Sequence, residues 1–457
     1  MRVLGLVLAF ALAATSAQAA DKATAAALRD KALKDNTAWT ILEGLTTEVG
    51  QRRVGTPEMV RARDWAVATL EELGFKNVKV EEFANPSWIR GRESAWLTVP
   101  YPVKLAISGL GRAPSTHEEG LEAEVVVFQT YADLLAAPVG SLSGKIAMVN
   151  QPMVRTQDGS GYGAAGVMRR QGPVEAAKRG AVAYLVRSLS TSNTNLPHAG
   201  AAVTRNAEPP TIPAAALAVP DADLIARLAA DAVVRVSLNL LSEWHQDAVA
   251  WNISGELPGS EEPDEVVVIG AHLDSWEGQS AHDDAAGIAI TTAAAHLIAQ
   301  LPKRPRRTIR VVMFGSEEMA GSGAAYAAAH RHEAIVAASE SDGGAFRAWR
   351  LRLPAGSSQH PVMQTAASTV APLAVFVDSA PATGSGPDLD ELHEAGVPVF
   401  HLHQDYSRYF DLHHSIDDTL DKVDREQLNQ NVAAWAALVY LIADSDIDFR
   451  QLKAAAQ

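Results

Sequence analysis

From Ala248 onward, short runs rich in β-branched residues alternate with helical runs. Val266–Ile269 and Ile309–Phe314 read as strands, and Ala286–Leu301 and Gln427–Ala443 read as helices. This alternation constrains the fold more than any other feature. Strands separated by helices build a largely parallel sheet covered on both faces. The predicted class is α/β, a mostly parallel mixed sheet flanked by helices. In such sheets, function gathers at the strand ends.

Upstream, residues 23–75 are Ala-rich. Trp39, Ile41, Leu42 and Leu45, then Val60, Trp65, Ala68 and Leu70, recur at roughly helical spacing. Gly74 is a stop signal, and Val78–Phe83 then alternates like a strand. Residues 120–245 have a different texture. Short strand-like runs (Glu122–Gln129, Gly144–Asn150, Val182–Val186, Ala214–Val219, Val233–Leu241) are separated by Gly, Pro and Ser. At the N-terminus, Arg2 precedes an apolar run, Val3 to Ala14, too short for a comfortable membrane span. Ala17-Gln18-Ala19 then fits a small-x-small cleavage site, so residues 1–20 read as a secretory signal peptide. No later stretch is long and apolar enough to span a bilayer.

Composition removes several function classes. Against 54 Asp+Glu there are 39 Lys+Arg, a formal net charge of −15. With no sizeable basic patch, the chain is a poor nucleic-acid binder. With no Cys there is no disulfide, thiolate nucleophile or Cys-ligated metal. Export without Cys fits a bacterial periplasm or secretion. Any metal must be held mainly by His, Asp and Glu. A Gly-x-Ser-x-Gly nucleophile elbow is absent from the sequence.

Five segments carry chemistry. Gly270-Ala271-His272-Leu273-Asp274-Ser275-Trp276 follows one predicted strand, and Phe314-Gly315-Ser316-Glu317-Glu318 ends another. His282-Asp283-Asp284-Ala285-Ala286-Gly287 precedes a helical run, and Glu340-Ser341-Asp342-Gly343 follows a short apolar one. The last runs from Tyr409-Phe410 through His413-His414-Ser415 to Asp418-Thr419. Carboxylates and imidazoles gathered at strand ends are costly to desolvate without a counter-charge, and a divalent cation supplies it. Two His, two Asp and one Glu suffice for two cations if one Asp bridges them. Such pairs sit roughly 3.5–4 Å apart and activate a shared water. A further carboxylate must stay off the metals to take the water's proton. Glu317, beside Glu318, offers a base next to a ligand. Both can face one site only if the strand has already turned into its loop, because adjacent strand residues point to opposite sides. Gly315 and Gly321 favour that turn.

This array resembles the M28 family of co-catalytic zinc exopeptidases over residues 248–457. The stretch 120–245 resembles a protease-associated (PA) domain, a small β-rich insertion found in several exopeptidase families. Together they resemble the carboxypeptidase Q branch. The resemblance divides the chain into a signal peptide (1–20), the N-terminal part of the peptidase domain (21–110), a PA-like insertion (111–247) and the catalytic domain (248–457). It implies that His272 and Asp342 bind one metal, that Glu318 and His414 bind the other, and that Asp283 bridges them. Glu317 is then the general base. Asp274 accepts a hydrogen bond from His272 and fixes its tautomer. The peptide bond after the bridging Asp is often cis in this family.

Many members carry Tyr immediately before the last metal-binding His, where this chain has His413. His413 is either a donor to the developing oxyanion or an outer packing residue. Tyr406 and Tyr409 are candidates for substrate contact, with rim packing as the alternative, and His282 has no assigned role. The resemblance implies two Zn2+, with Co or Mn as alternatives since these ligands accept all three. It also implies short peptide substrates with a free N-terminus, and a lid or specificity wall for the insertion. Aminopeptidase and dipeptidase remain open, and homodimerisation enters through the resemblance only. Three further alternatives are a carboxypeptidase, a metal-free receptor-like binding protein and a glutaminyl-cyclase-like acyltransferase.

Overall fold

A computed structural model describes residues 21–203 and 207–452. The signal peptide predicted at 1–20 lies outside them. Residues 21–32 are helical, followed by α1 (Thr37–Gly44) and α2 (Pro57–Glu72). Thr56 caps α2 by accepting from Met59 N–H, and Pro57 occupies its first turn, where a missing N–H costs nothing. Gly74, at φ +85°, ends it in the left-handed conformation that glycine adopts without strain.

The chain then enters a five-stranded sheet at β1 (Lys76–Ala84). It returns much later for β2 (Val249–Leu257), β3 (Glu262–His272), β4 (Arg307–Phe314) and β5 (Ala334–Glu340). The order across the sheet is β1-β2-β4-β3-β5. The β4-β3-β5 block is parallel, while β1 and β2 pair antiparallel. Residues 266–272 of β3 and all of β4 are buried, as central parallel strands covered on both faces must be. β1 is the edge, and Lys79, Glu81 and Glu82 guard it.

A second, eight-stranded sheet is built between the two visits. Its long strand Ser87–Val99 pairs antiparallel with Arg235–His245. Residues 87–109 therefore belong to this sheet. The strand that follows β1 pairs at once with the strand that leads back to β2. The strands Leu121–Phe128, Ile146–Val149, Ala183–Arg187 and Ala214–Leu217 run parallel within it. Helix α3 (Ser160–Lys178) packs against them.

Helix α4 (Ala286–Ala299) is apolar around nearly its whole circumference, which suits enclosure by β3, α1 and α5 (Arg425–Asp444). The parallel strands β3, β4 and β5 end at one edge, with His272 opposite Phe314 and Gly270 opposite Glu340. That register delivers His272, the 315–320 turn and Asp342 to one place, and the start of α4 closes it from the side.

The closure is tight. A Cβ on Gly287 would lie 2.0 Å from the Ser341 carbonyl oxygen and 2.3 Å from Asp284 Oδ2. Gly287→Ala should cost about 1–3 kcal/mol through this overpacking and lower the thermal unfolding midpoint. Gly163→Ala, in α3 with no neighbour within 4 Å, should leave it unchanged or raise it slightly. Equal midpoints for the two variants would contradict the close approach.

Candidate metal centre

His272 ends β3 with Nε2 3.5 Å from Asp283 Oδ1 and 3.7 Å from Asp342 Oδ1. On the far side of Asp283, Oδ2 lies 3.4 Å from His414 Nε2 and 3.8 Å from His413 Nε2. One carboxylate thus turns one oxygen to each of two groups. His272, Asp283 and Asp342 form the first, and Asp283, His413 and His414 form the second, each with ligand atoms within 4.8 Å of one another. The second holds His413 where the resemblance puts Glu318. Glu318 approaches from the other side, its Oε2 3.0 Å from His414 Nε2.

The donor set fits divalent metal. Ligand atoms about 2.1 Å from a tetrahedral zinc lie about 3.4 Å apart, close to the separations found. Asp283 Oδ2 and Glu318 Oε1 are buried without a hydrogen-bond partner, an expensive arrangement unless a cation meets them. Burial pushes the carboxyls of Glu317 and Glu318 well above the usual range, and the neighbouring carboxylates add to it while His272 opposes. Asp342 is pushed up to about 6, chiefly by burial. Crowded acids whose ionisation is suppressed this strongly are what bound cations would relieve.

β4 ends at Phe314, so the chain has turned before Glu317 and Glu318, and both line the cavity. Their main-chain N–H groups donate to Asp274 Oδ1 and Oδ2 at 2.9 and 3.2 Å. This alters the role expected of Asp274. His272 Nδ1 meets the Asp274 main-chain oxygen at 3.0 Å, whereas the carboxylate stands at 3.5 Å. The carbonyl fixes the His272 tautomer, and the carboxylate fixes the turn that carries Glu317 and Glu318.

The peptide bond between Asp283 and Asp284 is cis. Tyr409 Oη donates to Asp283 Oδ1 at 2.7 Å, so it touches the shared carboxylate itself. Tyr406 Oη donates to the Asp342 main-chain oxygen at 3.1 Å. His282 packs behind the site, its ring stacked on Phe346 and its Nδ1 accepting from Ala345 N–H. Sequence reasoning placed Asp418 in the fifth segment but missed its role: its two oxygens accept from the His282 and Asp283 N–H groups at 2.8 and 3.0 Å. It also missed Arg52, fully buried, which donates to the carbonyls of Leu273, Gly50, Gln279 and Ser280. The cavity, about 350 Å³, is walled opposite the acids by Tyr162, Arg169 and Arg170 of α3. Arg52, Tyr162, Arg169 and Arg170 carry no local sequence signal. Their partners lie far away in the chain.

A family model of Peptidase family M28 matches residues 252–439. Human Carboxypeptidase Q is 34% identical over 409 residues, covering 88% of this chain and 84% of that protein. This chain belongs to the M28 family. The rat Carboxypeptidase Q is 35% identical over 412 residues with the same coverage. The crystal structure of a Peptidase M28 precursor from Shewanella amazonensis SB2B matches with a TM-score of 0.92 at 40% identity, over 95% of this chain and 99% of that one. BSAP, a zinc aminopeptidase from Bacillus subtilis, shares the fold, with a TM-score of 0.63 at 18% identity over 92% and 96% of the two chains. The M28 chain described here is thus a metallopeptidase of mixed sheets flanked by helices, with a zinc-type donor set.

The second unit reaches this centre through His198, buried, whose Nδ1 meets the His413 carbonyl oxygen at 2.6 Å. Nδ1 must therefore carry the proton. Burial, with His414 adding to it, pulls this imidazole down from 6.5 to about 4. The unfolded chain takes the proton near 6.5 and the folded one only near 4. The stability this group contributes is thus fully present above 6.5 and lost as pH falls towards 4, by about 3 kcal/mol in all. For metal-stripped protein, the wild-type unfolding midpoint should fall relative to that of His198→Asn as pH drops across that window, whatever the buried carboxyls, whose sign is opposite, add to both. An unaltered profile in the variant would show that His198 is not the group responsible.

Proposed function

We propose that this chain is an exported two-metal exopeptidase that hydrolyses short peptides with a free N-terminus, with Glu317 as general base. The observation that carries it is the division of the Asp283 oxygens between two imidazole-bearing groups in the cavity that also holds Glu317. His272 and Asp342 would hold one cation, Glu318 and His414 the other, and Asp283 both. Bound there, divalent cations polarise a carbonyl and make water more acidic. Glu317 takes the proton from the attacking water and returns it to the leaving amine. Its burial favours holding that proton between the two steps. The Tyr409 hydroxyl is committed to Asp283, and the His413 ring, which lines the same cavity, is the candidate donor to a developing oxyanion. An acid-lined cavity suits a substrate ammonium group. Residues 1–20 support export, and no described helix is long and apolar enough to cross a membrane. A full set of candidate ligands beside a base favours catalysis over a receptor. Glu317→Gln should keep two metals and lose most turnover, whereas Asp283→Ala should weaken both metals. Surviving turnover in the first variant would mean the base is misassigned.

A second observation favours a dipeptidase over an aminopeptidase of long chains. Arg170 faces the acids from α3. Burial and its neighbour Arg169 lower its guanidinium from the usual value, and only the Tyr162 oxygen opposes them. A cavity guanidinium with no carboxylate beside it among the described residues suits the free carboxylate of a short substrate, which it can grip with two N–H groups. Arg170→Met should cut kcat/KM for free dipeptides by about 10–100-fold, the worth of one or two charged hydrogen bonds. C-amidated dipeptides, which lack the carboxylate, should barely change. Equal losses on both substrates would remove the carboxylate from Arg170.

A further inference from the structure

The segment that carries His413 and His414 is sewn to the eight-stranded unit. Ser190 Oγ and Thr191 N–H donate to the Phe410 carbonyl at 3.0 and 3.1 Å. The contact nearest the metals is with His414 itself. Its Nδ1 lies 3.2 Å from the Ala199 carbonyl oxygen, and Ala199 N–H donates back to the His414 carbonyl at 3.4 Å. Arg169, 4% exposed, donates from Nη1 to the same Ala199 oxygen at 2.8 Å. The next residue is Gly200, at φ +130°, where a Cβ would come within 2.2 Å of Arg169 Nη1. The Trp276 ring stacks on the His414 ring, with centroids 5.5 Å apart and planes at 21°. Gly111 makes room for that ring, since a Cβ there would lie 2.2 Å from it.

We propose that the Ala199 carbonyl, held in place by Arg169, fixes the His414 imidazole for metal binding, so that the eight-stranded unit completes one of the two metal sites. This rests on the two-metal function proposed above. The chemistry follows from the tautomer. An imidazole whose Nδ1 meets a carbonyl must carry its proton there. Its lone pair is then at Nε2, the atom 3.4 Å from Asp283 Oδ2 and 3.0 Å from Glu318 Oε2. A partner of this kind both aims the ring and makes it a better ligand. His414 needs outside support for a second reason. Its backbone is left-handed, at φ +59°, a conformation that a side-chain-bearing residue adopts only under strain. Arg169 acts through Ala199 and is a positioning residue, not a catalytic one.

The test is a zinc titration of the metal-stripped full chain against a chromophoric competing chelator, which reads two binding constants. The wild type should bind two ions. Arg169→Met should weaken one by about 10–100-fold and leave the other near its wild-type value, and Arg169→Lys should recover part of the loss. Nitrogen-15 spectra of the imidazoles in the metal-free wild type should show His414 protonated at Nδ1. Wild-type values for both constants in folded Arg169→Met would overturn the proposal. So would equal weakening of both, which would mark Arg169 as generally structural. An Nε2–H tautomer of His414 in the wild type would overturn it whether or not any variant folds. A wild type that binds fewer than two ions would instead overturn the two-metal reading, and the proposal with it.

Discussion

The two oxygens of the Asp283 carboxylate face imidazoles delivered by opposite ends of the chain's architecture: His272 from the tip of β3, and His414 from the segment just before α5. Everything near the site serves to hold that carboxylate between them. Asp418 takes its main-chain N–H, Tyr409 takes one of its oxygens, and α4 begins directly behind it. The neighbourhood is acidic and buried, so without counter-charge its carboxyls are driven towards the protonated form, as Glu317, Glu318 and Asp342 show. Arg52, behind the His272–Ser280 loop, gives its donors to carbonyls. It braces the loop rather than pairing with one carboxylate, and a cavity crowded with carboxyls is one that divalent cations stabilise.

What was legible in the sequence follows from burial. β3 and β4 are enclosed on both faces, so they appear as unbroken apolar runs, and the acid or histidine that follows each is conspicuous. The strand Ser87–Val99 left no such trace. Its middle, Arg90 to Ser94, is half exposed and charged, so periodicity does not mark it. Asp274 was legible as a partner of the site, but not as to which oxygen does what. A side-chain carboxylate and a main-chain carbonyl of one residue look identical in a sequence, and only the fold assigns the carbonyl to His272 and the carboxylate to the Glu317–Glu318 turn. The roles of Asp418, Arg52, Arg169 and Arg170 were invisible for a simpler reason. A charged residue announces a role only beside its partner, and their partners lie in other segments.

A β-rich unit inserted ahead of a metal site invites description as a lid. The contacts between its 188–199 loop and residues 410–414 argue for a different mechanical picture. They engage the carbonyls of Phe410, His413 and His414 on one side and both main-chain groups of Ala199 on the other. Each buried hydrogen bond contributes about 0.5–1.5 kcal/mol, and stranding a partner without water costs about 1–3 kcal/mol more. A hinge motion that lifted the unit would break all of them together and release the His414 ring from Ala199. One helix thus serves both places: α3 presents Arg170 to the cavity, and the neighbouring Arg169 holds the carbonyl on which His414 rests.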